Sequence, residues 1–289
     1  MTITSIKALV DSEIDGRSFF STWRKTATQT TGAGIWFDLS MSPGNPVPNY
    51  YAAAPNISVA LSQAVDGGIP HGGNVSQLGY RKHLTRFMAM TQTATAVPLP
   101  MILCDYLLFY PFVDMSITEE QPMTNSVVLP RSTTGAGVQI MAVEVAGQSG
   151  VGNPQFFVSY TNSDGVSGRV TTTVACNTQV VNGTIISTSA ATARSAGPFL
   201  PLQYGDTGVR SIDSITFLSP DIGLIALVLV KPIDNISVRT IDAPAERVPF
   251  VDFAHLPIIP DDAYLNLICC PQGNLAAAPI HGYIETVWG

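Results

Sequence analysis

The sequence predicts a mainly β protein: a β-sandwich or jelly-roll-like fold with a short helical N-terminal arm and one or two short helices. Three observations predict it. Turn signals rich in Gly, Pro and Asn recur about every ten residues, the punctuation of a sandwich or jelly roll. Between them, from residue 99 on, stand β-branched and aromatic runs, some alternating and some continuously apolar. Charge is scarce. Only 12% of the 289 residues are Asp, Glu, Lys or Arg, against about 25% in typical domains, while the apolar fraction of 46% is ordinary.

Taken in order, residues 5 to 15 ("SIKALVDSEID") predict a short helix, with Ser5 as its cap and Gly16 as its stop. "RSFFSTWRK" follows, gathering Phe19, Phe20 and Trp23 beside Arg17, Arg24 and Lys25. With the Thr-rich stretch after it, this reads as an N-terminal arm over residues 1–30. The rest, 31–289, reads as the β-sandwich domain, with a subdivision near 115–130 as one option. "GIWFDLSM" predicts a strand, and "SPGNPVPNYYAAAP" a Pro-rich connection. Residues 57 to 66 predict a second helix, because Ile57, Leu61, Ala64 and Val65 fall at helical spacing. "GGIPHGGN" ends it. Residues 75–96 fit helix or strand.

Beyond residue 99 every element reads as β. "LPMILCDYLLFYPFVDM" predicts one or two buried strands, and "VQIMAVEVAG" alternates. "QFFVSYTNSDGVSGRVTTTVAC" predicts a hairpin. One face collects Phe156, Val158, Tyr160, Val170 and Val174; the other collects Ser159, Thr161, Thr171 and Thr173. "TQVVNGTIISTSA" holds Asn182-Gly183 between β-branched runs, a strong hairpin signal. "GVRSIDSITFLS" alternates imperfectly. "IGLIALVLVKPI" suits a strand buried on both faces. "DAYLNLICCPQG" and "HGYIETVWG" complete the β series, and the aromatic character of the last stretch predicts a packed strand at Trp288. No repeat of 20–50 residues, charge run or low-complexity tail is present.

The net charge is −7, which argues against a nucleic-acid binder built on a basic stripe. The densest basic cluster, Arg81-Lys82-His83 with Arg86, reads as a solvated face or a contact between subunits. Four cysteines contain no C-x-x-C, so they predict buried free thiols in a reducing compartment rather than a zinc ribbon. The N-terminus lacks the basic and apolar regions of a secretory signal. The longest apolar runs fall short of the roughly 20 residues of a membrane helix. No membrane association is expected, and the sequons at Asn56, Asn74, Asn182 and Asn235 then carry no meaning.

Catalytic patterns are thin. Asp206-Thr207-Gly208 matches the D-T-G of aspartic proteases, in which two carboxylates share a proton. A second copy is missing, and the apolar strand usually found before the motif is missing too. No phosphate-binding loop, dinucleotide fingerprint or nucleophile elbow occurs. His71, His83, His255 and His281 are scattered. Asp261-Asp262 reads as a turn or cap, and Glu119-Glu120 as solvated. The expectation is a protein that is not an enzyme, with no catalytic residue, cofactor or metal. A carbohydrate-binding β-sandwich is the alternative from another class, with Trp36, Tyr50, Tyr51 and Tyr80 as its candidate platform.

"GVRSIDSITFLSPDIGLIALVLVKPI" and "AYLNLICCPQGNLAAAPIHGYIETVWG" give residues 205–289 a texture that resembles virion structural proteins of tailed bacteriophages, of the capsid cement or decoration type. The low charge and the abundance of Thr, Ser, Gly and Pro extend that texture over the whole chain. The resemblance implies a β fold and symmetric multimerisation, and it brings no catalytic residue. The expected partners are further copies of this chain, a trimer among the options, and a major capsid protein. The expected location is the virion, after synthesis in the host cytoplasm. A tail-tube, tail-tip or baseplate subunit is the structural alternative. Phe19, Phe20, Trp23 and Trp288 are the expected partner-interface residues. A neutral hydroxyl face suits such a role, because two surfaces can meet without stripping water from charges.

Overall fold

The structure, a computed structural model, describes residues 3–147, 153–179, 181–188, 194–241, 243–253, 256–275, 277 and 279–289. Helix α1 (Ile6–Ile14) begins at Ser5, whose hydroxyl accepts from the Ala8 amide, and it ends at Gly16, which has φ +70°. The strands follow in chain order: β1 (Ser18–Thr26), β2 (Phe37–Asp38), β3 (Gly44–Asn45) and β4 (Val59–Ala60). After the one-turn α2 (Gln63–Asp66) come β5 (Lys82–Thr91), β6 (Leu99–Asp114), β7 (Gln121–Pro122), β8 (Gln139–Ala146), β9 (Gln155–Asn162), β10 (Arg169–Val170) and β11 (Val174–Ala175). The last elements are β12 (Val209–Phe217), β13 (Leu224–Val238), β14 (Ala245–Arg247), α3 (Pro249–Phe253), β15 (Ile258–Ile259), β16 (Leu265–Cys269) and β17 (Pro279–Trp288).

The protein is mainly β, as the sequence predicts, with three antiparallel sheets and few short helices. The central sheet runs β2-β16-β6-β13-β8, with β4 also on β6. A second sheet runs β14-β5-β17-β1-β3, with β15 on β5, and a third runs β10-β9-β12-β7, with β11 on β9. The two long strands β6 and β13 pair from Leu224↔Asp114 to Val238↔Leu99, with register shifts along the way. Their continuously apolar sequence is explained by burial on both faces. One face carries two cores in succession. Leu99, Met101, Leu103, Leu265 and Leu267 pack against Trp23, Phe87, Ile280 and Ile284 of the second sheet. Further along, Leu107, Tyr110, Ile140, Leu227 and Leu229 pack against Phe156, Val158, Ile212 and Phe217 of the third. The opposite face, with Tyr106, Phe109, Met141 and Val228, is covered by Met41, Tyr51, Leu61 and Ile185 from connecting segments.

Four expectations change. Residues 18–26 are not an arm set apart from the β domain: they form β1, which pairs with β17 of the same chain from Ser18↔Val287 to Thr26↔Pro279. Residues 57–66 are not a helix. Ile57 bridges Thr124, Val59 and Ala60 pair with β6, and only Gln63–Asp66 is helical, capped by Ser62 and stopped at Gly67. Pairing with an apolar strand overrides helical spacing in so short a run. Asn182-Gly183 makes a turn, with the Thr184 amide on the Val181 carbonyl, but its arm does not fold back on itself. Thr184 instead bridges Phe37 and Ile185 bridges Val143. Finally, Val170 is exposed rather than core-facing, and Thr171 is buried, its hydroxyl accepting from the Val158 amide at 3.0 Å. The rest of the 155–176 hairpin forms, and β9 alternates buried and half-buried residues throughout. The segment 75–96 resolves as a 3-10 turn at Ser76–Leu78, strand β5 and a second turn at Ala94–Ala96.

Candidate assembly surface and buried polar nodes

The four residues expected at a partner interface do not form one surface. Trp23 is 1% exposed and belongs to the chain's own core. Its indole presses so closely on Gly282 that a Cβ there would lie 2.7 Å from Cζ2. Trp23 is therefore corrected from partner anchor to core residue. Phe20 is exposed on the outer face of the second sheet and packs its ring on Tyr283, with centroids 5.0 Å apart. Phe19 and Trp288 meet elsewhere, at Gly72, where an added Cβ would stand 3.3 Å from each side chain. Trp288 is half-buried, its amide donating to the Arg17 carbonyl.

A different apolar surface stands out. On α1, Ala8 and Leu9 pack with Phe250 of α3 against Ile3, Leu256 and Val287. Ile6, Val10 and Ile14 face away, at 61%, 48% and 78% exposure. Their i, i+4, i+8 spacing makes one stripe along the helix. Val251 of α3 is exposed as well. The sequence shows the spacing but not which side of so short a helix meets the core.

Most titratable groups that the sequence singled out are tied into the fold. Asp206 of the D-T-G triplet accepts from the Tyr160 hydroxyl (2.6 Å), Asn162 Nδ2 (2.7 Å) and Arg169 Nε (2.9 Å). The Arg169 bond, together with those from Tyr160 and Asn162, holds its carboxyl at about 2. With three donors on its two oxygens, the carboxylate tethers the 155–176 hairpin to the turn at Asp206. Asp206→Ala should leave three donors unmatched and cost about 1–3 kcal/mol, read as a lower Tm; an unchanged Tm would remove the tether role. The sign with pH follows. The folded pKa is depressed, so this stabilisation is present above the ordinary carboxylate range and is lost as pH falls through about 2.

Asp261 and Asp262 are caps, as predicted. Asp261 accepts from the Val75 and Ser76 amides, and Asp262 from the Ala64 amide at 2.7 Å. Glu119 and Glu120 are exposed. Of the basic cluster, Arg86 is exposed and pairs with Glu285 at 3.2 Å, but Lys82 and His83 are buried. Lys82 Nζ donates to the Gly72 and Gly73 carbonyls (3.0 and 2.8 Å) and lies 3.0 Å from His71 Nδ1. His71 Nε2 meets the Ala263 carbonyl at 2.9 Å, and His83 Nδ1 meets the Leu256 carbonyl at 3.3 Å. His281 lies on β17, and His255 lies outside the described residues.

Two further nodes had no signature in the sequence. Asp38 is fully buried and accepts from Tyr51 (2.5 Å), Tyr106 (2.7 Å) and both the amide and the hydroxyl of Ser40 (2.8 and 2.7 Å). Burial raises its pKa, opposed by those bonds. Asp105 takes a two-pronged bond from Arg131, Nε to Oδ2 at 3.1 Å and Nη2 to Oδ1 at 2.8 Å, inside the central sheet. All four cysteines are free and buried, and burial pushes each thiol up, so none is a ready nucleophile. Among the described residues no group of three or more His, Cys, Asp or Glu is placed to hold a metal ion.

The candidate sugar platform does not assemble. Tyr51 is core, Trp36 is half-buried, and the Arg17 guanidinium lies 5.1 Å from the centre of the Tyr80 ring. Of the four aromatics only Tyr50 is exposed. No known family model matches the chain, and no curated protein matches it. Among solved structures it is similar to a mutant VP2 protein of infectious bursal disease virus in derived T=1 particles. That likeness has 9% identity and covers 94% of this chain and 77% of that one, with a TM-score of 0.16.

Proposed function

We propose that this chain is a structural subunit of a virion, which multimerises and binds a phage capsid shell as a cement or decoration protein. The observation that carries this reading is the outward stripe of Ile6, Val10 and Ile14 on a chain so poor in charge. Contiguous exposed apolar side chains mark contact surfaces, and scarcity of charge lowers the desolvation cost of covering them. The anchoring of Asp206, Asp261 and His71 in structural bonds fits a protein without a catalytic centre.

Two experiments test this. In the first, particles from the native source are separated on a density gradient, and the chain is quantified against the major shell protein. Hundreds of copies per particle support the cement role, a few tens or fewer assign it to the tail, and recovery only away from particles overturns the proposal. In the second, Val10→Asp with Ile14→Asp should weaken self-association by at least about tenfold. Being exposed, the pair should change folding stability by only about 0.5 kcal/mol per site. Sedimentation velocity that is unchanged by the double substitution would remove α1 from the interface. Deleting residues 1–30 is not an equivalent test, because it removes β1 from the interior of a sheet.

A further inference from the structure

The segment 70–74 lies between two firm anchors. Ile69 is fully buried, its amide on the Leu265 carbonyl at 2.8 Å, and the amides of Val75 and Ser76 are held by Asp261. In between, the backbone depends on few contacts. Lys82 Nζ takes the Gly72 and Gly73 carbonyls, and the Thr286 hydroxyl takes the His71 carbonyl at 2.9 Å. The His71 ring, with no exposed surface, bridges Lys82 and the Ala263 carbonyl. A carbonyl can only accept, so Nε2 carries the proton and Nδ1 is the acceptor for the ammonium. That arrangement tolerates only a neutral imidazole. A proton on Nδ1 would place an N–H donor against the Lys82 ammonium, two cations 3.0 Å apart in a buried site.

We propose that residues 70–74 are an acid-released strap: protonation of His71 detaches the segment and uncovers Phe19 and Trp288, against which Gly72 lies. The charged groups facing His71 are Lys82 from β5 and Asp261 from the segment before β16; from β17 it meets only the Thr286 hydroxyl. Burial first, and the Lys82 charge second, hold the imidazole down at about 4, against an ordinary 6.5. A base whose folded pKa is depressed withholds a proton that the released state binds. The strap is therefore fully secured above about 6.5 and loosens as pH falls from there toward about 4. Two adjacent glycines, Gly72 at φ +85°, leave little else to hold it. The inference stands apart from the virion reading, since it requires no partner.

Hydrogen exchange of the full chain, corrected for the intrinsic pH dependence, tests it at about pH 7 and pH 4.5. The bonded amides at the two ends of the strap, Ile69, Val75 and Ser76, should exchange at least about tenfold faster at the lower pH, while β6 stays protected. In His71→Gln, which cannot gain the charge, that acceleration should vanish. No acceleration in the natural chain overturns the proposal. So does equal acceleration in His71→Gln, which would assign the opening to Asp261 instead. Should the variant fail to fold, the His71 imidazole nitrogens of the natural chain are titrated by NMR alongside the Gly72 and Gly73 amides. A shared midpoint supports the strap; protonation without amide change, or no protonation down to about pH 3, overturns it.

Discussion

Trp23→Ala should cost about 3–5 kcal/mol of folding stability, the range for emptying a large aromatic site in a core. Urea unfolding should show the midpoint falling with the slope unchanged. Trp23 sits in the core between the second and central sheets, with Leu103, Phe87 and Ile284 in the same cluster. Gly282 has no side chain to move into the space left behind. Its backbone is already against Met88, where an added Cβ would come within 1.9 Å of the carbonyl oxygen. Trp23→Phe should cost far less, because it keeps most of the apolar contact and removes an indole N–H that has no partner among the described residues. If Trp23→Ala left stability intact and weakened only association, the placement of this residue in the core would be wrong.

Asp105→Ala should be of similar size, about 3–5 kcal/mol, because it strands a buried guanidinium. Arg131 is almost enclosed, and Asp105 receives the Tyr264 amide at 3.1 Å in addition to both Arg131 prongs. The same guanidinium donates to the Leu61 and Tyr106 carbonyls at 2.7 and 3.0 Å. Arg131 thus ties the loop after β7 to β6 and to the segment that follows β4. Replacing both partners, Asp105→Ala with Arg131→Met, should cost clearly less than the two single losses summed, since no charge is left unpaired. Additive losses in that cycle would mean that the pair does not act as a unit. Asp105→Asn should fall between, retaining a partner for the Tyr264 amide.

What the sequence reveals follows from how local each cause is. The α1 helix is legible because its cap and its stop lie within a dozen residues. The strands β6 and β13 are legible because burial on both faces demands unbroken apolar runs. The 57–66 segment misleads because its spacing is local while the partner that makes it a strand, β6, is some fifty residues away. Trp23 misleads in another way. Beside Arg24 and Lys25 it reads as part of an exposed arm, yet alternation along β1 sends Trp23 and Lys25 inward, where Lys25 donates to the Ser42 and Pro46 carbonyls. Burial holds that amine down to about 8. A buried lysine satisfied by backbone oxygens has no signature in a single sequence, and neither does Lys82 under its strap. Asp206 shows the converse: a recognisable triplet whose carboxyl is consumed by a tyrosine, an asparagine and an arginine from the facing hairpin.

The position of β17 bears on how the molecule is made. It lies in the middle of its sheet, between β5 and β1, although it follows every other element along the chain. On the ribosome, β1 and β5 must wait for it, each presenting a bare edge while some two hundred residues of the intervening chain emerge. At ordinary synthesis rates that wait lasts on the order of ten seconds or more, long enough for edges on neighbouring nascent copies to find each other. Proteins dominated by such distant pairings also fold slowly once complete. The yield of native protein should therefore depend on chaperones that shield β1 and β5, and on how thinly the nascent copies are spread, more than on the stability of the finished sandwich.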